Sequence, residues 1–223
     1  MRLPAQFEPL LGGVGSRARP FKRRGRLINP CSTRSSSTGE ILDHCLKIAD
    51  NLWRNFLARA ATMVIRQGTR DDVPLLAAVI RAAFRDVGDR FALTAETCPT
   101  HPSNCATTWI EKALDKGARY YLGEEGGKAC GCVALERANP EVCYLERLAV
   151  LPQFRRKGFG KALVDHLLEE ARALGARRVE IGIIAEQGEL RAWYERLGFV
   201  PTKTARFDHL PFRVLFMYRP LGG

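Results

Sequence analysis

A short basic segment with two glycines is the clearest chemical signal in this 223-residue sequence. It reads Arg155-Arg156-Lys157-Gly158-Phe159-Gly160, and Lys161 follows it. If the segment opens a helix, its backbone N–H groups converge on one point, where the helix dipole and the basic side chains favour negative charge. Glycine also leaves room for a phosphate to approach the backbone. The segment predicts an anion site, although the hexapeptide alone fits a tight strand-to-helix turn equally well.

The residues on either side predict the strand and the helix that such a site requires. Residues 142–150 form an apolar strand-like run that Pro152 stops, and residues 158–174 have helical periodicity that Gly175 closes. Residues 179–184 then predict a buried strand, because most of them are β-branched or otherwise apolar. The anion site is therefore expected between a strand and a helix.

The rest of the chain after residue 62 continues this mixture of strands and helices. A capping aspartate and an early proline open a helix at Asp71, and the Gly126-Gly127 pair fits a hairpin turn. Further strands are predicted at 63–66, 119–123, 129–135, 199–202 and 212–218, and further helices at 109–114 and around 190–194. Together these elements predict an α/β fold in which helices flank a mixed central sheet.

Three segments, in this order, resemble the GNAT superfamily of N-acyltransferases. Leu145-Glu146-Arg147-Leu148-Ala149-Val150-Leu151-Pro152 resembles the strand before the family's phosphate turn. The basic hexapeptide matches its R/Q-x-x-G-x-G/A signature, and Trp193-Tyr194-Glu195-Arg196-Leu197-Gly198-Phe199 resembles its late Y-E-x-L-G-F segment. The resemblance covers residues 63 to about 221. It implies the GNAT fold, with six to seven strands and about four helices, and acetyl-CoA or another acyl-CoA in a cleft where two parallel strands splay apart.

The resemblance also implies which residues bind the acyl-CoA. The turn would hold the pyrophosphate through its backbone N–H groups, and main-chain groups of the preceding strand would pair with the pantetheine arm as an added strand does. The implied residues are Leu148, Ala149, Val150, Arg155, Arg156, Lys157, Gly158, Phe159, Gly160 and Lys161. No metal ion is implied.

Acetyl transfer by direct attack in a ternary complex needs a deprotonated amine, a polarised thioester carbonyl and a proton for the departing thiolate. Tyr194 occupies the position at which the family commonly has its general acid, which would protonate the sulfur of CoA. The alternative is that Tyr194 is a core tyrosine beside Trp193. Glu146 shares a strand face with Tyr144 and Leu148, which makes it a candidate general base if that face lines the cleft. A solvated or salt-bridged glutamate is the competing interpretation.

In the GNAT fold that the resemblance implies, two loops flank the side of the cleft where the acceptor binds. They correspond to residues 98–104 and 207–212. Each contains a histidine, so His101 and His209 are candidate substrate-binding residues for the amine acceptor. Histidines in loops are more often simply solvated. His166, on the helix after the turn, is expected to be structural.

The net charge of +11 is concentrated in the N-terminal segment. Residues 1–62 carry 11 Lys and Arg against 4 Asp and Glu, whereas residues 63–223 carry 24 against 20. We predict a GNAT domain at 63–223 that binds no nucleic acid, after a basic extension at 1–62 with an amphipathic helical stripe at 41–60. The extension resembles an organelle transit peptide, but a start codon assigned too far upstream gives the same composition.

The seven cysteines are odd in number and lack zinc-ligand spacing, which favours a reducing compartment. We expect a cytoplasmic enzyme that spans no membrane, or an organellar one if the extension is a transit peptide. A monomer and a homodimer are both compatible with the sequence. The competing function is a non-catalytic acyl-CoA-binding regulatory module with the same fold.

Overall fold

The computed structural model of this protein describes residues 63–222, so the extension at 1–62, with its predicted helix at 41–60, lies outside the described residues. Seven strands and four helices follow one another along the described part. They are β1 Val64–Gln67, α1 Val73–Phe91, α2 Thr107–Asp115, β2 Arg119–Glu125, β3 Lys128–Asn139, β4 Val142–Val150, α3 Phe159–Ala173, β5 Arg178–Ile184, α4 Gly188–Arg196, β6 Val200–Arg206 and β7 Arg213–Pro220.

The seven strands form one mixed sheet in the order β1-β2-β3-β4-β5-β7-β6. All neighbouring strands are antiparallel except β4 and β5, which are parallel. The last strand, β7, lies between β5 and β6, so the end of the chain returns into the sheet. The predicted α/β fold with a mixed sheet is confirmed, and so is the expected number of strands and helices.

Helices cover both faces of the sheet. Tyr121 of β2 points to α3, where its hydroxyl donates a hydrogen bond to Glu170 at 2.8 Å. Because successive side chains of a strand point to opposite faces, Tyr120 faces the other side, where α1 lies. Apolar residues at helical spacing on α1 and α3 complete the core, among them Leu76, Ile80, Phe84, Leu163 and Leu167. Within residues 63–222, no helix is long and apolar enough to span a bilayer.

We expect residues 63–223 to fold without residues 1–62, because all seven strands of the sheet pair with one another inside that range. Thermal unfolding of the full chain and of the truncated chain should give midpoints that differ by less than about 4 °C, or about 1 kcal/mol for a domain of this size. A decrease of about 10 °C on truncation would instead show that the extension stabilises the domain.

Candidate active site

Strands β4 and β5 separate after one short stretch of pairing. In the described part of the chain, the pairs are Val142 with Arg178, Cys143 with Val179 and Tyr144 with Glu180. Strand β5 continues to pair with β7 as far as Ile184, so the edge of β4 beyond Tyr144 faces a gap. An extended ligand could add to this open edge as an extra strand does.

The backbone of β4 directs specific groups to that gap. The carbonyl of Ala149 lies against Gly131 on β3, so close that a Cβ on Gly131 would overlap it. Since neighbouring carbonyls of a strand point to opposite edges, those of Leu148 and Val150 point away from β3. Two of the predicted pantetheine-binding residues therefore present main-chain groups on the open side.

The turn after β4 has the local geometry of an anion site. Arg156 and Gly158 both have left-handed backbones, with φ of 63° and 86°, and α3 begins at Phe159. No side chain caps the start of α3, so the N–H groups of its first turn point outwards without intrahelical acceptors. A Cβ placed on Gly158 would meet open space. The dipole of a 15-residue helix adds to the attraction for an anion.

The basic side chains of the turn have different roles. The guanidinium of Arg155 contacts Asp86 of α1, with Nη1 to Oδ2 at 2.6 Å, and also donates to the carbonyls of Ala83 and Val150 at 2.7 and 3.2 Å. The side chain of Arg155 thus connects the turn to α1. Lys157 and Lys161 are more exposed, and they pair with Glu125 at 3.6 Å and Asp165 at 2.5 Å.

Sequence reasoning did not find Asp86, because it lies 69 residues before its partner and carries no motif of its own. Asp86 also lines a groove of about 780 Å³ that runs beside α1 and continues to Leu151, Pro152 and Gln153 after β4. This groove lies next to the turn, but the candidate catalytic side chains do not line it.

Tyr194 and Glu146 are both buried. Tyr194 of α4 is fully buried, with its ring 4.8 Å from Trp193 and 5.2 Å from Phe199. Its hydroxyl has no hydrogen-bond partner among the described residues. Burial, followed by the negative charge of Glu146, raises the pKa of Tyr194 above its usual range. Glu146 is itself only 7% exposed. The structure therefore buries both candidate catalytic residues and does not leave Glu146 solvated.

The two candidate acceptor histidines have different surroundings. His101 is completely buried, its ring 5.8 Å from Phe84 of α1, whereas His209 is exposed, 5.9 Å from the ring of Phe207. The loops that carry them nevertheless meet, because Leu210 and Phe212 pack with Cys98 in one apolar cluster. Burial and then the positive charge of Arg147 lower the pKa of His101 to about 4.

Arg147 is a buried charge that the sequence analysis did not select. It is 5% exposed, and its backbone is left-handed, with φ of 49°. Here β4 bulges, because Arg147 and Leu148 together face Val133 between the pairs Cys132–Ala149 and Ala134–Glu146. The guanidinium lies 5.5 Å from the centre of the Trp109 ring on α2. The bulge thus places a cation on the α2 side of the sheet.

Other candidate groups lie in the core. His166 packs edge-on against Tyr121 at 4.7 Å, between α3 and the sheet, as its structural assignment predicts. Cys130 and Cys132 are buried free thiols, and the Sγ of Cys130 lies 3.1 Å from the carbonyl oxygen of Gly123. Residues 63–222 contain no group of three or more His, Cys, Asp or Glu side chains arranged to hold a metal ion.

Comparison with known proteins places this arrangement in a family. The sequence model of the acetyltransferase (GNAT) family matches residues 75–199, more than half of the chain. The chain belongs to the GNAT acetyltransferase family. The matched range runs from α1 through the splayed strands and the turn to the end of α4, so it contains Glu146, the residues of the turn and Tyr194, but not His209.

Relatives of this GNAT enzyme include the uncharacterized N-acetyltransferase YjgM of Escherichia coli, 30% identical over 139 residues that cover 61% of this chain and 81% of YjgM. An amino-acid acetyltransferase of Neisseria meningitidis is 29% identical over 70% of this chain, which spans 30% of that protein. The solved structure of yncA from Salmonella typhimurium, with its cofactor acetyl-CoA, matches with a TM-score of 0.55 and 21% identity, over 73% of this chain and 96% of yncA. At this identity, the structural match shows the fold alone.

Proposed function

We propose that this GNAT enzyme transfers an acetyl group from acetyl-CoA to the primary amine of an acceptor, by direct attack in a ternary complex. The observation that carries the proposal is the buried Tyr194 hydroxyl without a hydrogen-bond partner among the described residues, together with the buried Glu146 on β4, which separates from β5 just before an uncapped helix N-terminus. A solved structure of the same fold, yncA, holds acetyl-CoA.

Binding of acetyl-CoA would use main-chain groups. The N–H groups between Gly158 and Lys161 would donate to the pyrophosphate, and the outward carbonyl of Leu148 would accept from an amide of the pantetheine arm. The carbonyl of Val150 already accepts from Arg155, so it would offer the arm its second lone pair. Backbone groups suit this task because they are already ordered by the fold before the ligand binds. Exposed Lys157 and Lys161 would add attraction that salt screens.

Chemistry would divide between the two buried side chains. Glu146, directly or through a water, takes a proton from the acceptor ammonium, and the freed nitrogen attacks the thioester carbonyl carbon. The carbon–nitrogen bond forms, and the carbon–sulfur bond breaks with its electron pair on sulfur. Tyr194 donates an O–H hydrogen bond to that sulfur, where negative charge develops. The sulfur takes up the second proton, which the nitrogen loses as the amide forms, so CoA leaves as the thiol, and Glu146 returns the first proton to water.

The raised pKa of Tyr194 defines how this residue would act. A thiol ordinarily loses its proton near pH 8.5, well below a phenol whose pKa is raised by burial and by a neighbouring carboxylate. Complete proton transfer from the phenol to the thiolate is therefore uphill, whereas a hydrogen bond to the developing charge is available at any ordinary pH. Tyr194 is better suited to stabilise the thiolate than to give up its proton early.

The test is an amine-dependent thiol-release assay. The full chain is incubated with acetyl-CoA and each amine of a panel. The concentration of free CoA thiol is measured over time, and the acetylated amine is identified by mass spectrometry. Transfer predicts stoichiometric thiol and acetyl-amine with at least one amine. If acetyl-CoA binds but no amine increases thiol release above the amine-free rate, the non-catalytic acyl-CoA-binding module is the better description.

We expect Asp86→Ala to weaken acetyl-CoA binding roughly 3- to 10-fold, because it removes the ion pair between the turn and α1. Arg155→Ala should weaken binding at least as much, because it also removes the hydrogen bonds to the carbonyls of Ala83 and Val150. The double variant should bind no more weakly than Arg155→Ala alone. Isothermal titration calorimetry measures the three dissociation constants. A double variant that binds much more weakly than Arg155→Ala alone would show that Asp86 acts independently of the ion pair.

A further inference from the structure

The two halves of the candidate site belong to different sides of the gap between β4 and β5. The phosphate turn follows β4, whereas Tyr194 lies on α4, which follows β5. Within residues 63–222, pairing between β4 and β5 ends at Tyr144 and Glu180, so backbone hydrogen bonds between these strands do not fix the separation of the turn from Tyr194. An acyl-CoA held at the turn brings its thioester to Tyr194 only if this separation matches the length of the molecule.

The indole of Trp193 crosses from α4 to the turn. A Cβ on Gly160 would lie 3.5 Å from Cζ2 and 3.7 Å from Cη2 of Trp193, and 3.8 Å from Cγ2 of Val150. Gly160 is the second residue of α3, and Val150 is the last residue of β4. The benzene edge of the indole therefore meets the first turn of α3 beside the end of β4. The small residue at position 160 is what lets the indole come this close.

The other contacts of Trp193 connect it to Tyr194 and to the core. Its ring lies 4.8 Å from the Tyr194 ring, with the two planes at 74°, so the aromatic groups pack edge to face. Trp193 is half-buried and packs against the main apolar core. An indole is rigid and has only two side-chain torsions, so it holds the groups on either side of it at a defined distance.

We propose that Trp193 is a positioning residue that sets the separation between the phosphate turn and the Tyr194 hydroxyl, an inference that rests on the proposed binding and transfer from acetyl-CoA. It acts through Gly160 on one side and Tyr194 on the other. The pyrophosphate, once held at the turn, then places the thioester sulfur within reach of the phenol. Misplacement of a reacting group by about 1 Å can cost about 100-fold in rate, so such a spacer affects turnover strongly.

The binding experiment compares acetyl-CoA with its two halves. Phosphoadenosine diphosphate carries the pyrophosphate, and S-acetylpantetheine carries the thioester. Trp193→Ala should weaken intact acetyl-CoA by about 10-fold or more and change the affinity for each half by less than about 2-fold, because only the intact molecule must fit both places at one separation. Calorimetry measures the intact ligand, and NMR titration measures the halves.

Two further variants accompany Trp193→Ala. Trp193→Phe keeps an aromatic ring beside Tyr194 but lacks the far edge that meets Gly160, so it should show the same pattern with a smaller loss. Should Trp193→Ala fail to fold, Trp193→Phe carries the comparison. Trp109→Phe makes the same change on α2 and is the matched control, which should bind acetyl-CoA and both halves as the wild type does.

Turnover gives a readout that a merely structural role would not produce. S-acetylpantetheine has no phosphate for the turn to hold, so its sulfur can adjust to Tyr194 independently of the spacer. With acetyl-CoA, Trp193→Ala should lower kcat by about 10- to 100-fold, whereas with S-acetylpantetheine kcat should stay within about 3-fold of the wild-type value. A tryptophan that only stabilises the fold would lower both rates by the same factor.

The outcomes separate the spacer from the transferase activity. If the binding pattern is found while the wild type acetylates no amine, the spacer stands and the proposed transfer fails. If Trp193→Ala binds and uses acetyl-CoA as the wild type does, or weakens one half as much as the intact molecule, the spacer is wrong and the transferase activity stands. A wild type that binds neither acetyl-CoA nor its halves overturns both.

Discussion

Replacement of Tyr194 by phenylalanine is expected to lower kcat by roughly 10- to 1000-fold with little change in the affinity for acetyl-CoA, the range found when one hydrogen-bond donor to a developing charge is removed. The variant keeps the ring that packs against Trp193 and Phe199 and loses one buried oxygen. That oxygen has no hydrogen-bond partner in the described part of the protein, so the fold should lose little stability. A defect in turnover would therefore reflect chemistry.

Single-turnover kinetics with the best acceptor would measure this effect where product release does not limit the rate. Tyr121→Phe is the matched control, because Tyr121 is also buried but its hydroxyl donates a hydrogen bond to Glu170 of α3. Its turnover should stay at the wild-type level. Wild-type turnover by Tyr194→Phe would remove Tyr194 from the mechanism.

The pH dependence gives a second readout of the same residue. Burial and the charge of Glu146 raise the pKa of Tyr194, so the phenol stays protonated throughout the pH range in which the enzyme can be assayed. The pH profile of kcat should therefore have no alkaline decrease that belongs to Tyr194, and Tyr194→Phe should lower the profile without changing its shape. An alkaline limb that disappears in the variant would show that the phenol titrates at a much lower pH when substrates are bound.

Replacement of Gly158 by valine should raise the dissociation constant of acetyl-CoA by roughly 10- to 100-fold, because the anion site depends on a backbone conformation that valine adopts poorly. Gly158 has φ of 86°, and its missing side chain leaves open space in front of the helix N-terminus. A β-branched residue would strain the turn and occupy the position that a phosphate needs. Calorimetric titration with acetyl-CoA measures the loss.

The same strain can be introduced at the other end of α3 as a control. Gly175 follows that helix with φ of 78° and also has no atom within 4 Å of its Cβ position. Gly175→Val should decrease the thermal midpoint about as much as Gly158→Val while the affinity for acetyl-CoA stays unchanged. Equal affinities in the two variants would mean that the pyrophosphate is not held at Gly158.

Local patterns determined most of the elements. The apolar periodicity of residues 158–174 corresponds to α3 at Phe159–Ala173, and the Gly126-Gly127 pair turns the β2–β3 hairpin with both φ values positive. These features were predictable because a helical stripe or a turn depends on residues only a few positions apart. Strand β3 was predicted to end at Leu135 but continues to Asn139, because pairing with β4 extends it through exposed polar residues that have no apolar pattern.

The candidate site was only partly predictable. The three motif segments predicted one site that contains Glu146, the glycine turn and Tyr194, but they did not distinguish buried His101 from exposed His209. The roles of Arg155 and Arg147 also required the tertiary structure. Asp86, the partner of Arg155, is far away in sequence, and Arg147 faces α2 only because β4 bulges against β3. Such contacts depend on how distant segments pack, so a local pattern of residue types carries no record of them.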